Sequence, residues 1–179
     1  MNTLPLDTLP LDADVTTFTA QDEDFMRQAI ALAHEAELAG EVPVGAVLVK
    51  DEQVIATGYN RSICDHDASA HAEIQVIRKA GQVLGNYRLL DTTLYVTLEP
   101  CPMCAGALLH SRVKRIVFGA PDLKSGAAGT VLNLFDTQAA YHYAQIESGL
   151  LEQECRLQLQ SFFKRRRKEK KQLKTKDMS

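Results

Sequence analysis

Two short segments hold the residues best suited to chemistry: His71-Ala72-Glu73 and Pro100-Cys101-Pro102-Met103-Cys104. Taken separately, each has a bland reading. A lone Cys-x-x-Cys can be a redox pair or chance, and a lone His-x-Glu a solvated helix start. Together they make a metal set. Cys101 and Cys104 stand three residues apart, so in the first turn of a helix both sulfurs lie on one face and can grip one ion. A helix N-terminus also favours thiolate over thiol, because its free N–H groups and macrodipole stabilise negative charge. One imidazole and two thiolates give zinc its three protein ligands, His71, Cys101 and Cys104, and leave one position for water, as catalytic zinc requires.

His71 and Glu73 are about 200° apart around an ideal helix, so they cannot both ligate from one helical face. Both can reach a site lying off the helix end. Glu73 is therefore expected to carry protons between an acidified water and a substrate ring, the chemistry of hydrolytic deamination. The competing reading is a structural zinc knuckle with a fourth ligand, but a closed site has no use for Glu73. Cys64, seven residues before His71, is the nearby candidate for that fourth ligand; it is expected instead to be a small buried thiol.

The elements that must position these residues follow from periodicity and punctuation. A helical stripe runs from Asp22 to Ala39 with Gly40 as its stop, and Val44–Val49 and Val54–Tyr59 form a hairpin around a polar turn. Asp67 or Ser69 could cap a helix over about 70–80 that Gly81 ends. Thr92–Leu98 reads as a strand, Pro102–His110 as a short helix opened by proline, and Val113–Phe118 as another strand. A Gly/Ala loop, 125–130, and an ambiguous stretch lead to a long helix from Glu147 to about Lys171. That order argues for one mixed α/β sheet with helices on both faces, and right-handed crossovers between parallel strands.

The chain has 179 residues, 45% of them hydrophobic and 24% charged, which suits one globular domain rather than two large ones. No apolar run is long enough for a membrane span, and the first twenty residues are acidic where a secretory signal is basic, so a cytoplasmic protein without membrane contact is expected. Those residues repeat Thr-Leu-Pro-Leu-Asp at 3–7 and 8–12 and read as a disordered acidic tail, residues 1–20. The catalytic domain is assigned to 21–163. The net charge of −3 hides a separation: 164–176 holds nine basic residues and one acid, while 1–163 holds eleven basic and twenty-one acidic residues.

The paired motif, with Val42-Pro43-Val44-Gly45-Ala46-Val47, Gly58-Tyr59-Asn60, Asn86-Tyr87-Arg88, Thr97-Leu98-Glu99, His110-Ser111-Arg112 and Gly126-Ala127-Ala128-Gly129, resembles the zinc nucleobase deaminases, and among them the tRNA adenosine deaminases. The resemblance extends from about Asp22 to near Lys168. It implies a cytidine-deaminase-like three-layer α/β/α fold with a mixed five-stranded sheet, one Zn2+ per subunit, a homodimer, and conversion of adenosine to inosine at the wobble position of an arginine tRNA. It further implies that His71, Cys101 and Cys104 bind zinc, that Glu73 is the proton donor, and that Asn60 and Val42 meet the flipped nucleoside. Asp122 and Lys124 resemble residues that meet the anticodon backbone, although Pro121 and Leu123 beside them depart from the usual pattern.

Small-substrate deaminases share the zinc chemistry, so the choice of an anticodon stem-loop as partner needs other support. Phe162 and Phe163 followed by Lys164, Arg165, Arg166 and Arg167 place stackable rings beside cations, and the whole 164–179 segment is a concentrated basic end. Core packing of the two rings is an equal alternative. The rival functions are deamination of a free base, nucleoside or nucleotide such as guanine or cytosine, and a non-catalytic zinc RNA-binding module. His34, His66 and His142 lack partner spacing, and His110 is as well explained by the dipole at its helix end.

Overall fold

The computed structural model describes residues 18–137 and 142–176. Most of the expected tail lies outside these, but its last residues do not belong to it. Helix α1 covers Ala20–Leu38, two residues ahead of the expected start, because Thr19 and Asp22 form a capping box. Thr19 Oγ1 accepts from the Asp22 N–H at 3.1 Å, and Asp22 Oδ2 accepts from the Thr19 N–H at 2.9 Å. The helix ends at Ala39, with Gly40 following at φ +81°.

The hairpin pairs β1 (Gly45–Lys50) with β2 (Gln53–Tyr59) through Asp51 and Glu52, both at positive φ as the tight primed turn demands. Gly45 lets α1 lie directly on β1: a Cβ there would meet the Ala29 carbonyl oxygen at 2.1 Å. Helix α2 (Ala72–Leu84) has His71 as its N-cap in place of Asp67 or Ser69, whose side chains instead close a turn on each other. The helix also runs past Gly81 and stops at Gly85, φ +60°. A glycine inside a helix costs only about 1 kcal/mol, which the packing of Ile77 and Leu84 on the core offsets.

Then come β3 (Thr92–Leu98), α3 (Pro102–Ser111), β4 (Arg115–Ala120), β5 (Gln145–Ser148) and α4 (Glu152–Lys176). Glu147 and Ser148, expected at the head of the last helix, are strand instead. Glu147 is drawn there by Arg115, whose guanidinium donates to both of its carboxylate oxygens, at 3.1 and 2.6 Å. Gly149 and Leu151, both at positive φ, then turn the chain into α4.

The sheet order is β2-β1-β3-β4-β5, with β1 antiparallel to both neighbours and β3, β4 and β5 parallel. Side chains alternate between two cores, as the strand period of two requires. Ala46, Leu48, Leu94 and Val96 pack beneath α2 and α3, while Val47, Val49, Tyr95 and Val117 pack beneath α1 and α4. The α/β/α layering and the five-stranded mixed sheet are as expected. No helix among the described residues is long and apolar enough to cross a membrane.

Candidate active site

Helices α2 and α3 pack side by side and bring their N-termini together. His71 and Cys101 are the two N-cap residues, neither making a side-chain cap, and Cys104 stands in the first turn of α3. His71 Nδ1 lies 3.7 Å from Cys101 Sγ and 3.6 Å from Cys104 Sγ, and the ligand atoms of all three fall within 4.8 Å of one another. Two soft sulfurs and an imidazole at that spacing fit a zinc ion. Among the described residues no fourth His, Cys, Asp or Glu joins the group.

The sulfurs are unequal. A hydrogen bond from the Cys104 thiol, with help from His71, pulls Cys101 down to about 4, while Cys104 is pushed up. The two sulfurs thus favour sharing a single proton, which a bound cation would displace. Glu73 is buried, and burial pushes its carboxyl up to about 7, opposed by His71 and by a hydrogen bond with Cys104. A carboxyl in that position can hold a proton or release it near neutrality.

Asn60 is buried at the end of β2, and its Oδ1 accepts from the Ala72 N–H at 2.9 Å. It thereby takes up one of the free N–H groups of α2, between His71 and Glu73, and leaves its own amide N–H pair as the donors it can offer a ligand. Val42 is half-buried against the core under α2 and α3. Cys64 is not the buried thiol expected from its small apolar side chain. It is exposed, in a turn whose N–H groups at Ile63 and Cys64 both donate to the buried Glu41 carboxylate at 2.8 Å, and that turn holds its sulfur outside.

Glu99, directly before Pro100 and Cys101, is the residue that sequence reasoning missed. It is 2% exposed. Its Oε1 accepts from the N–H groups of Ala128 and Thr130, at 2.9 and 3.1 Å, and its Oε2 from that of Asp122 at 3.0 Å. The Ala127 N–H donates in turn to the Pro100 carbonyl at 2.9 Å. Gly126 makes room for this: a Cβ there would come 2.2 Å from Glu99 Oε2. The glycine was a visible signal; its carboxylate partner, 27 residues away, was not.

Asp122 turns its carboxylate inward, Oδ1 accepting from Lys124 and Ser125 N–H and Oδ2 from the Ser125 hydroxyl. Burial works against its charge, but the Ser125 hydroxyl and these N–H groups hold its carboxyl below the usual range. Lys124 is exposed on the same turn. At the far end of the chain the two rings divide: Phe162 is buried and Phe163 is 44% exposed, edge to face. Arg165 lies over Phe162 and pairs with Glu37 of α1 at 2.6 Å. His142 meets the Val113 carbonyl at 3.1 Å, His34 lies near Glu37, and His66 is an exposed turn residue.

Residues 19–120 match the family model described as the cytidine and deoxycytidylate deaminase zinc-binding region. A tRNA-specific adenosine deaminase of Haemophilus influenzae is 54% identical over 151 residues, covering 84% of this chain and 87% of that protein. One of Bacillus subtilis is 50% identical over 151 residues, covering 84% and 94%. A solved structure from work on A-to-I editing by tRNA:A34 deaminases at the wobble position superposes with a TM-score of 0.75 at 45% identity, covering 76% of this chain and 99% of that one. With its histidine and two cysteines gathered at two helix N-termini on a mixed sheet, the chain belongs to the cytidine and deoxycytidylate deaminase zinc-binding family.

Proposed function

We infer that this protein deaminates adenosine to inosine at the wobble position of a tRNA anticodon, with one zinc ion per subunit. The observation that carries this is a metal set of His71, Cys101 and Cys104 with Glu73 buried beside it, in a chain half identical to tRNA-specific adenosine deaminases over five-sixths of its length. Bound zinc supplies an acidified water, its pKa brought from near 16 to roughly 7. The chain's own residues do the rest. Glu73 takes one proton of the water on a carboxylate oxygen and gives it to purine N1 as the C6–O bond forms. It then takes the proton of the new C6 hydroxyl and gives it to the 6-amino group as the C6–N bond breaks, so adenosine and water give inosine and ammonia, and Glu73 ends as it began.

Asn60 offers its amide N–H pair to the nucleoside, and Val42 closes the wall beside it. Lys124, exposed on the turn that Asp122 shapes, reaches a phosphate of the loop, while Asp122 itself acts by shaping that turn. An anticodon base is already unpaired, so extruding it costs little. The resemblance further supports a homodimer, an arginine tRNA as substrate and a cytoplasmic setting, with residues 21–163 as the catalytic unit.

Incubating the zinc-loaded protein separately with total tRNA, adenosine, cytidine and guanine tests this reading. Inosine should form in tRNA, at the wobble position of an arginine tRNA, with no ammonia from the free compounds. Ammonia from free guanine or cytidine with untouched tRNA would make it a small-substrate deaminase. Sedimentation should give twice the mass of one chain.

A further inference from the structure

Past Phe162, α4 leaves the body of the protein, and almost every residue from Phe163 to Thr175 is exposed. At 100° per residue, Lys164, Arg167, Lys168, Lys171 and Lys174 fall within an arc of about 120° and run some 15 Å along the helix. That arc is centred about 180° from Phe162, the side by which α4 docks. Among the described residues none of these five cations has an ion pair. The carboxylates that reach this segment, Glu37 and Glu169, pair with Arg165 and Arg166, which point elsewhere. The stripe is therefore uncompensated, while residues 1–163 carry ten more acids than bases.

The stripe also starts at the active-site end of the molecule. Arg165 is tied to Glu37 in the last turn of α1, and Glu41, just after that helix, holds the Ile63–Cys64 turn that follows Asn60. Asn60 in turn is bonded to Ala72, between His71 and Glu73.

We propose that the five cations Lys164, Arg167, Lys168, Lys171 and Lys174 form a rail for the phosphate backbone of the stem that continues from the substrate loop. The proposal rests on the tRNA reading above. An acidic body repels polyanions, so the rail supplies the long-range attraction and aligns the duplex while the base is held in the pocket. Point charges in a row suit phosphates at any sequence, and give the stem affinity without specificity. Phe162 and Arg165, which the sequence suggested as RNA contacts, are instead the anchor that fixes the direction of the rail.

The test uses the zinc-loaded full chain with all five cations replaced by Gln, alongside the single variant Arg166→Gln, a cation off the stripe that among the described residues pairs only with Glu169 of its own helix. Binding is titrated across salt concentrations with whole tRNA, an anticodon stem-loop and a single-stranded loop heptamer. For the two RNAs with a stem, the five-fold variant should lower the slope of log affinity against log salt by about 3.5–4.5 and raise Kd more than tenfold. Heptamer binding and zinc content should hold within twofold, which certifies the fold, and Arg166→Gln should leave the slope unchanged. An unchanged slope with tRNA, or an equal loss with the heptamer, overturns the rail. So does a loss for Arg166→Gln matching one-fifth of the five-fold effect. Binding is read separately from inosine, so a protein that binds through the rail and makes no inosine would sink the functional reading alone.

Discussion

Asn60 has two jobs that a single substitution separates. Asn60→Asp keeps an oxygen to accept from Ala72 N–H, so zinc content and α2 should be retained, but it removes the amide donors. We predict a rise in KM for tRNA and a loss of at least tenfold in kcat/KM, about 1.4 kcal/mol or more, with zinc still at one per chain. Loss of zinc in step with activity would mean that the residue only builds the helix start. The metal set was legible from the sequence because its geometry is local: Cys101 and Cys104 share one helical turn, and His71 heads another. Glu99 and Glu41 were not, since their partners lie 22 to 31 residues away and are backbone N–H groups that carry no residue-type signature. Cys64 was misjudged for the same reason, because Glu41 dictates where its turn sits.

At the scale of elements, the loop after β4 hangs on Glu99. Glu99→Gln exchanges one acceptor oxygen for a donor that faces backbone N–H groups, at a cost of about 1–3 kcal/mol. Its effect should split: KM for tRNA rises about tenfold while kcat and zinc content stay within twofold. A fall in kcat that tracks a fall in folded protein would reduce Glu99 to a purely structural group.

A second junction joins α1, β3, β4 and β5. Arg115 pairs with Asp22 and Glu147 at 2.6 Å each, and Tyr95 donates to Asp22 at 2.6 Å. Burial opposes the charge of Asp22, but Arg115, Tyr95 and Thr19 hold its carboxyl well below the usual range. A depressed folded pKa stabilises above the unfolded value near 4 and loses that contribution as pH falls below it. Acid unfolding of Asp22→Asn should therefore show a shallower fall in stability below pH 4 than the wild type. Parallel curves would contradict the assignment. Sequence periodicity placed α1 and the strands but not this junction. It also put Glu147 in a helix, because the groups that hold it as strand, Arg115 and the ladder position opposite Val117, lie 32 and 30 residues away.

Across the whole molecule, the order of elements carried the layering, since a hairpin followed by helix-linked strands has few ways to close around one sheet. The neighbour order β2-β1-β3-β4-β5 depends on which strand edges meet, a non-local matter. The charge separation was fully visible in the sequence, but its direction in space was not, and it is the Arg165–Glu37 pair that points the basic end toward the site. If three side chains hold the metal while Glu73 moves the proton, the two roles separate in nucleoside analysis of the wobble position after single-turnover incubation of tRNA with zinc-replete wild type and Glu73→Gln. Inosine should form with the wild type, and at a rate lower by about 10²–10⁴ with the variant at equal zinc content. Inosine at the wild-type rate from Glu73→Gln, or loss of zinc with the substitution, would contradict this division of roles.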